Sequence, residues 1–203
     1  MTADHLVAAA AVAAVALAGY VVGSIPVAGM VARRRAGLDL RDVGDGNPGY
    51  WNAKETLGRR AAAPVFVGDV AKGALAAALG RLADHAVGDA WWLGYVGGFA
   101  AMVGHAWPVF ARFRGGRSVL AFVGAAAVLS PITALACVGV LGAVTVWRGF
   151  AWGARAGVFA FPLVQLVVDG PYRTAATGCL MTLIGLRFAT AARTSGRATA
   201  DGG

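Results

Sequence analysis

Seven apolar runs, separated by short polar or glycine-rich connections, dominate the pattern of this chain. They lie at about residues 6–31, 61–82, 91–110, 118–129, 132–147, 156–168 and 173–190. A helix that crosses a bilayer perpendicularly needs ~20 apolar residues, so the shorter runs predict tilted, partly buried or incomplete spans. The pattern predicts an all-α, polytopic membrane protein with about seven transmembrane helices.

Proline marks two of the connections between neighbouring runs. Ser130-Pro131 and Gly170-Pro171 predict turns, because proline has no N–H to donate and disfavours helical backbone in the residue before it. Five spans remain the alternative, if residues 118–147 form one kinked helix and 156–168 only dip into the membrane. The first run lacks a preceding basic segment and exceeds the apolar part of a signal peptide, so we expect a retained helix.

Small residues recur at close spacing within the runs. Gly19-x-x-x-Gly23 and Gly94-x-x-Gly97-Gly98 are examples. Such spacing lets helix backbones approach each other in lipid, and it indicates tight packing rather than a functional site.

The composition excludes an ordinary soluble domain. Of the 203 residues, 58% are hydrophobic and 14% are charged, and the mean hydropathy is +0.65. The net charge of +8 would suit nucleic acid, but the basic residues sit at the ends of apolar runs and not on one amphipathic face, so we expect no nucleic-acid partner.

Cys137 and Cys179 lie inside apolar runs without metal-ligand spacing, and we expect neither a disulfide nor a metal.

The distribution of charge predicts the orientation in the membrane. With the N-terminus outside and the C-terminus inside, nearly all basic residues fall on the cytoplasmic side, as the positive-inside rule requires. The inner basic residues are Arg33, Arg34, Arg35, Arg41, Lys54, Arg59, Arg60, Arg112, Arg114, Arg117, Arg148, Arg155, Arg193 and Arg197. The outer connections carry Asp84, His85, Asp89 and Asp169. We expect one membrane domain over residues 1–192 and a flexible polar tail over 193–203.

The first inner loop has the residues of an anion-binding turn. Glycine at 44, 46 and 49, together with Asn47, permits left-handed backbone, so that successive N–H groups can converge on an anion. The guanidinium group of Arg41 can donate two parallel hydrogen bonds to the same anion. A solvent-exposed turn without a ligand explains the glycines equally well.

The second inner loop points more strongly to phosphate. Arg114 and Arg117 flank Gly115-Gly116, and the next helix is predicted to begin at about Ser118. A helix N-terminus favours anions through its free N–H groups and its dipole. A simple positive-inside anchor explains the charge but not the glycine pair.

Three further polar residues lie near or inside the apolar runs. His105 is compatible with a structural or a catalytic role, since its ordinary pKa permits both. Asp69 and Lys72, spaced i, i+3 in an apolar helix, predict either a structural ion pair or an orientation toward an interior site.

Taken in order, the loop motifs resemble the bacterial acyl-phosphate:glycerol-3-phosphate acyltransferases, the PlsY-type integral membrane enzymes. The similarity spans about residues 19–122. The matching motifs are Gly23-Ser24-Ile25-Pro26, Asp39-x-Arg41-x-x-Gly44-x-Gly46-Asn47-x-Gly49-x-x-Asn52, Thr56-Leu57-Gly58, Asp69-x-x-Lys72-Gly73, Gly104-His105-x-x-Pro108-x-Phe110 and Phe113-Arg114-Gly115-Gly116-Arg117-x-Val119.

The resemblance implies seven transmembrane helices in the plasma membrane, an active site facing the cytoplasm, and no metal or organic cofactor. It implies transfer of a fatty acyl group from acyl phosphate to glycerol 3-phosphate, which yields lysophosphatidic acid for phospholipid synthesis. The implied catalytic residues are Ser24, His105 and Arg117, of which Ser24 and His105 would orient the acceptor. The implied substrate-binding residues are Arg41, Gly44, Gly46, Asn47, Gly49, Asn52, Lys72, Arg114, Gly115 and Gly116.

Several positions depart from the pattern of that family. Asp45 stands where the family usually has serine, and a carboxylate there would repel an approaching phosphate. Trp51 and Glu55 are also unusual, and residues 187–203 do not match the C-terminal motif of the family. A non-catalytic relative that binds phospholipid or an anionic metabolite in the membrane is therefore the alternative.

Overall fold

The computed structural model describes residues 3–88 and 90–200, and in that part of the chain all regular structure is helical. The helices are α1 (Ala3–Gly23), α2 (Val27–Ala36), α3 (Tyr50–Leu57), α4 (Arg59–Ala86), α5 (Leu93–Ala106), α6 (Val119–Leu129), α7 (Pro131–Arg148), α8 (Phe150–Val168) and α9 (Pro171–Ala200), with a 3-10 turn at Val109–Ala111.

Every predicted apolar run coincides with a helix, and two short helices, α2 and α3, lie beside the first inner loop. Five helical segments of the described chain are long and apolar enough to cross a membrane. They are Asp4–Ala36, Arg59–Ala86, Pro131–Arg148, Phe150–Val168 and Pro171–Arg193. The protein is therefore an all-helical, multi-pass membrane protein with about five long apolar helices.

The helix boundaries follow the proline and glycine positions. Pro131 and Pro171 are the first residues of α7 and α9, which confirms the two predicted turns. Residues 118–147 thus contain two helices, and α8 begins at Phe150, earlier than the predicted 156. The first run is also interrupted, because the backbone leaves the helix before Pro26 and resumes it at Val27.

The C-terminal helix runs further than the polar composition of the tail suggests. Helix α9 continues to Ala200, through most of the tail predicted from residue 193. Residues 201–203 lie outside the described chain, and so does Asp89, one of the acidic residues assigned to an outer connection.

Helix α4 packs against α1, α5 and α6, and glycine makes these contacts close. A Cβ atom on Gly73 would lie 1.9 Å from the carbonyl oxygen of Ala121, and one on Gly124 would lie 1.9 Å from that of Val70. Between α1 and α5, a Cβ on Gly19 would lie 2.6 Å from the carbonyl oxygen of Gly97. The tight packing predicted from the small residues is confirmed.

A small apolar cluster fastens the first inner loop to the bundle. Leu40 of the loop is fully buried together with Ala32 of α2, Ala53 of α3, and Ala62 and Val65 of α4. Because the loop contributes an apolar side chain to this cluster, its position relative to α4 is defined, and the glycine-rich part that follows is held near the ends of the central helices.

We predict that Gly73→Ala destabilises the protein by about 1–3 kcal/mol, because the new methyl group overpacks the contact between α4 and α6. Gly139→Ala on α7 is the matched control, since a Cβ there meets no atom within 4 Å. Thermal unfolding in detergent measures both. Equal unfolding midpoints for the two variants would contradict the close contact.

Candidate active site

The two inner loops, residues 37–49 and 107–118, meet at one end of the bundle. Arg41 Nη1 lies 3.5 Å from the carbonyl oxygen of Ala111. Arg117 Nη1 donates to Asp45 Oδ2 at 3.1 Å. These contacts join residues about 70 positions apart, and they show that the two arginine-bearing turns lie side by side.

A basic cleft opens where the loops meet. Its volume is about 340 Å³, and its cationic lining comes from Arg33 and Arg41 on one side and from Arg112 and Arg114 on the other. Within residues 3–88 and 90–200, Arg112 and Arg114 form no ion pair. Four guanidinium groups around one cleft, two of them unpaired, suit a doubly charged anion.

Arg41 is partly occupied by a carboxylate of its own loop. Its Nε donates to Asp39 Oδ1 at 2.9 Å and its Nη2 to Asp39 Oδ2, while Arg33 Nη1 lies 3.7 Å from the same Oδ2. The hydrogen bonds from Arg41 lower the pKa of Asp39 to about 2, and Asp39 in turn raises the pKa of Arg41. The Nε and Nη2 groups of Arg41 are therefore bound to Asp39, and only Nη1 faces the second loop.

The side chain of Asn52 holds the glycine turn, and its expected role in substrate binding stays a prediction. Its side chain is 2% exposed. The amide nitrogen lies 2.8, 2.9 and 3.2 Å from the carbonyl oxygens of Leu40, Val43 and Asn47, and the amide oxygen accepts a hydrogen bond from Thr56. All its polar atoms are thus used inside the loop.

The same turn explains two of the predicted glycines. Gly44 has φ +62°, and a Cβ atom on it would lie 2.0 Å from Asn52 Oδ1. Gly46 has φ +67°, a conformation that L residues rarely adopt. Gly49 is extended and precedes α3. Asn47 donates its backbone N–H to Asp45 Oδ1 at 3.1 Å.

The glycine pair of the second loop packs tightly, and its amides are already used. The N–H of Gly115 donates to the carbonyl of Ala106, and that of Gly116 donates to the carbonyl of His105. A Cβ on Gly116 would lie 2.4 Å from His105 Nε2. These two N–H groups are therefore bonded within the protein, and the expected role of Gly115 and Gly116 in substrate binding stays a prediction.

Arg187 of α9 belongs to the site, and the sequence reading missed it. Its Nε and Nη2 donate to the carbonyl oxygens of Gly116 and Gly115 at 3.1 and 3.0 Å, and its guanidinium lies 5.1 Å from the ring centre of Trp107. The available signal was a lone arginine inside the last apolar run, where a charged group needs a partner.

A buried polar cluster lies beneath the second loop. Lys72 Nζ lies 2.8 Å from Asp69 Oδ1 and 3.2 Å from the carbonyl oxygen of Ile25, and His105 Nδ1 lies 3.5 Å from the same Asp69 oxygen. The three side chains line a narrow cleft of about 20 Å³ together with Arg114, Gly115 and Gly116. Lys72 is thus ion-paired and also borders the site.

Ser24 is fully buried at the break between α1 and α2. Its hydroxyl has no hydrogen-bond partner among the described residues. Its chain neighbours Gly23 and Ile25 line the cleft that contains His105. A buried free hydroxyl at this place is a candidate donor or acceptor for a polar ligand group.

Comparison with known proteins gives one consistent result. Residues 13–195 match the family model described as glycerol-3-phosphate acyltransferase. The chain is 41% identical over 150 residues to glycerol-3-phosphate acyltransferase 5 of Dehalococcoides mccartyi, which covers 74% of the chain and 63% of that relative. It is 35% identical over 156 residues to the glycerol-3-phosphate acyltransferase of Clostridioides difficile, which covers 76% of each. The matched region thus spans somewhat less than two thirds of the first relative.

Two solved structures share the fold. The crystal structure of PlsY, an integral membrane glycerol 3-phosphate acyltransferase, in its glycerol 3-phosphate form superimposes with a TM-score of 0.76 and 28% identity, over 92% of this chain and 93% of that one. The lysophosphatidic acid form of the same protein gives a TM-score of 0.70 and 26% identity, over 87% of each chain.

We predict that Asp39→Asn lowers stability above pH 4 and that the loss shrinks in acid. The pKa of Asp39 is held at about 2, below its ordinary 3.8, so the ionised carboxylate stabilises the fold above pH 4 and loses this effect as the pH falls toward 2. At pH 3 roughly half of the effect should remain. Thermal unfolding in detergent between pH 7 and pH 3 measures it.

The control for this experiment is Asp42→Asn, which removes an exposed carboxylate of the same loop. Its effect on the unfolding midpoint should be small at every pH. A deficit of Asp39→Asn that stays constant down to pH 3 would refute the proposed ion-pair contribution.

Proposed function

Because the chain belongs to the glycerol-3-phosphate acyltransferase family, we propose that it transfers a fatty acyl group from acyl phosphate to glycerol 3-phosphate and so makes lysophosphatidic acid for phospholipid synthesis. The observation that carries this proposal is the cleft of four arginines at the junction of the two loops. Both substrates carry phosphate dianions, and this cleft offers concentrated positive charge to receive them.

In this reaction the protein mainly has to align the two substrates, and it does not have to supply a nucleophile of its own. A primary hydroxyl of glycerol 3-phosphate attacks the acyl carbon, a new ester C–O bond forms, and the bond from that carbon to the phosphate oxygen breaks. The hydroxyl proton passes to a phosphate oxygen, and inorganic phosphate leaves. Acyl phosphate is already activated, so no metal or organic cofactor is needed, and most of the rate gain comes from holding two anions together in reacting geometry.

We assign binding of the phosphate groups to the guanidinium groups of Arg41, Arg114 and Arg117. Arg114 borders both the basic cleft and the smaller cleft lined by His105, which makes it suited to bridge the two substrates. Ser24 and His105 orient the acceptor hydroxyl.

The remaining site residues shape the basic cleft and the smaller cleft lined by His105. The glycines at 44, 46, 49, 115 and 116 allow the loops to approach their neighbours, and Asn47 and Asn52 hold the first turn. Lys72 supplies positive charge beneath the second loop.

We propose that seven helices span the plasma membrane, with the N-terminus outside and the site facing the cytoplasm. The support is that the basic connections lie at one end of the helices and the acidic ones at the other. Helices α5 and α6 have 14 and 11 residues, and at about 1.5 Å per residue both are shorter than the roughly 30 Å hydrocarbon core. The loop between them therefore lies below the inner surface, within reach of a membrane-borne acyl phosphate.

We predict that the purified protein releases inorganic phosphate from palmitoyl phosphate only when glycerol 3-phosphate is present. Arg117→Ala should lower kcat/KM by at least about 100-fold, since it removes a charge-assisted contact to phosphate. Arg155→Ala is the matched control, because Arg155 stacks on Trp152 of its own helix, whereas Arg117 contacts Asp45 where the two loops meet. It should retain near wild-type activity.

Complementation of an acyltransferase-deficient strain gives a second measurement of the same proposal. Failure to rescue growth, with normal membrane insertion and no phosphate release in vitro, would refute the enzymatic proposal. That outcome would favour a non-catalytic relative that binds phospholipid or an anionic metabolite.

We predict opposite accessibility for cysteines placed at the two ends of α4. In a variant lacking Cys137 and Cys179, a cysteine replacing Val87 should react with a membrane-impermeant maleimide in intact cells. A cysteine replacing Arg60 should react only after the cells are permeabilised. The reverse labelling would overturn the proposed orientation.

A further inference from the structure

The carboxylate of Asp45 is held in a defined position between the two loops. It lies between Gly44 and Gly46, both with positive φ, so the turn determines its place. Its Oδ1 accepts the backbone N–H of Asn47 at 3.1 Å, and its Oδ2 accepts Arg117 Nη1 at 3.1 Å. Both oxygens of the side chain therefore have partners, and one of those partners is an arginine assigned to phosphate binding.

Arg117 is only partly satisfied by this contact. Its guanidinium lies 4.9 Å from the ring centre of Phe188, and Asp45 is its only ion-pair partner within residues 3–88 and 90–200. Its Nε is buried without a hydrogen-bond acceptor in the described chain. An unpaired buried donor is costly, and a phosphate can offer oxygens to Nε and Nη at the same time.

We propose that Asp45 is an internal counterion of Arg117 that a substrate phosphate must displace, so that this carboxylate sets the affinity of the site for phosphate. The inference rests on the proposed function, and it assigns a residue that tunes affinity without entering the reaction. Asp45 acts through Arg117 and is in this sense a positioning residue. It weakens the binding of a dianion in two ways: it occupies Nη1, and it repels the incoming negative charge.

The exposure of the pair determines the size of the effect. The side chains of Asp45 and Arg117 are 39% and 25% exposed, so solvent screens their attraction and the ion pair is weak. Exposed pairs of this kind change an equilibrium constant by up to about fivefold. Relief of the repulsion adds to this, and removing the carboxylate should tighten phosphate binding by about three- to tenfold. A dianion displaces such a pair readily, which distinguishes this arrangement from a permanently blocked site.

The test compares Asp45→Asn with Asp42→Asn in the full-length protein in detergent. Asparagine at 45 keeps the acceptor for the N–H of Asn47 and removes only the charge. Asp42 is an exposed carboxylate of the same loop without an ion pair in the described chain, so its substitution changes the net charge equally. The Kd for inorganic phosphate and for glycerol 3-phosphate is measured by titration calorimetry, and the unfolding midpoint is measured alongside.

We expect Asp45→Asn to lower the Kd for inorganic phosphate by about three- to tenfold and Asp42→Asn to change it by less than about twofold. In an Arg117→Ala background, Asp45→Asn should lower the Kd by clearly less, because only the direct repulsion between the carboxylate and the dianion is then relieved. An unchanged or higher Kd for Asp45→Asn would overturn the proposal. So would an equal gain of affinity in the Arg117→Ala background, since Asp45 would then act independently of Arg117.

Turnover is measured separately, so that the two proposals fail in different ways. If the wild type transfers acyl groups, Asp45→Asn should lower the KM for the substrate whose phosphate Arg117 binds, glycerol 3-phosphate or acyl phosphate, by a similar factor. It should leave kcat within about twofold. A lowered kcat with an unchanged KM would contradict the inference. If the wild type binds phosphate and Asp45→Asn tightens this binding, but no acyl transfer occurs, the counterion inference stands and the enzymatic proposal fails.

Discussion

The close approach of helix backbones at glycine is the constraint on which the rest of this structure depends. Lipid tails are as apolar as leucine, so no hydrophobic effect drives one helix against another inside a bilayer, and packing must supply the attraction. Gly73 and Gly124 let α4 and α6 meet backbone to backbone, and Gly19 and Gly23 do the same for α1 against α5. These contacts determine where the helix ends lie, and the helix ends carry both basic loops.

Three arginines fasten the two loops to each other and to α9 by donating hydrogen bonds to backbone or carboxylate oxygens. Arg41 reaches the carbonyl of Ala111, Arg117 reaches Asp45, and Arg187 reaches the carbonyls of Gly115 and Gly116. Each contact joins segments far apart in the chain. Of these side chains Arg41 also lines the basic cleft, so it both contributes positive charge to the cleft and holds its two walls together.

These contacts divide the arginines into two groups, those that carry no ion pair and those that are bonded within the protein. Arg112 and Arg114 form no ion pair in the described part of the chain and present free charge to the cleft. Arg41 and Arg117 are each balanced by a carboxylate of the first loop, and Arg187 supports the second loop from α9. Under the proposed reaction, strength of binding and placement of the substrate are supplied by different arginines. Asp45, which departs from the usual residue of the family, acts on Arg117 and leaves the unpaired Arg112 and Arg114 unchanged.

Much of the fold follows from local sequence alone. Apolar runs predict the helices because each run must satisfy its backbone hydrogen bonds internally in lipid. Pro131 and Pro171 begin helices because proline lacks a donor that an N-terminal position does not need. The ordered glycine and arginine motifs likewise point to a phosphate site. They do so because turns with positive φ and guanidinium groups leave a recognisable pattern in the chain.

The sequence by itself thus determined the helical membrane class, the positions of the apolar helices and the two basic turns. Only the tertiary structure decided which polar groups face each other. Asn52 turned inward to hold carbonyl oxygens, the amides of Gly115 and Gly116 were taken by the end of α5, and Asp45 paired with Arg117. Helical periodicity and turn propensity act over a few residues, whereas the pairing of donors and acceptors depends on which distant segments the packed helices bring within 3 Å.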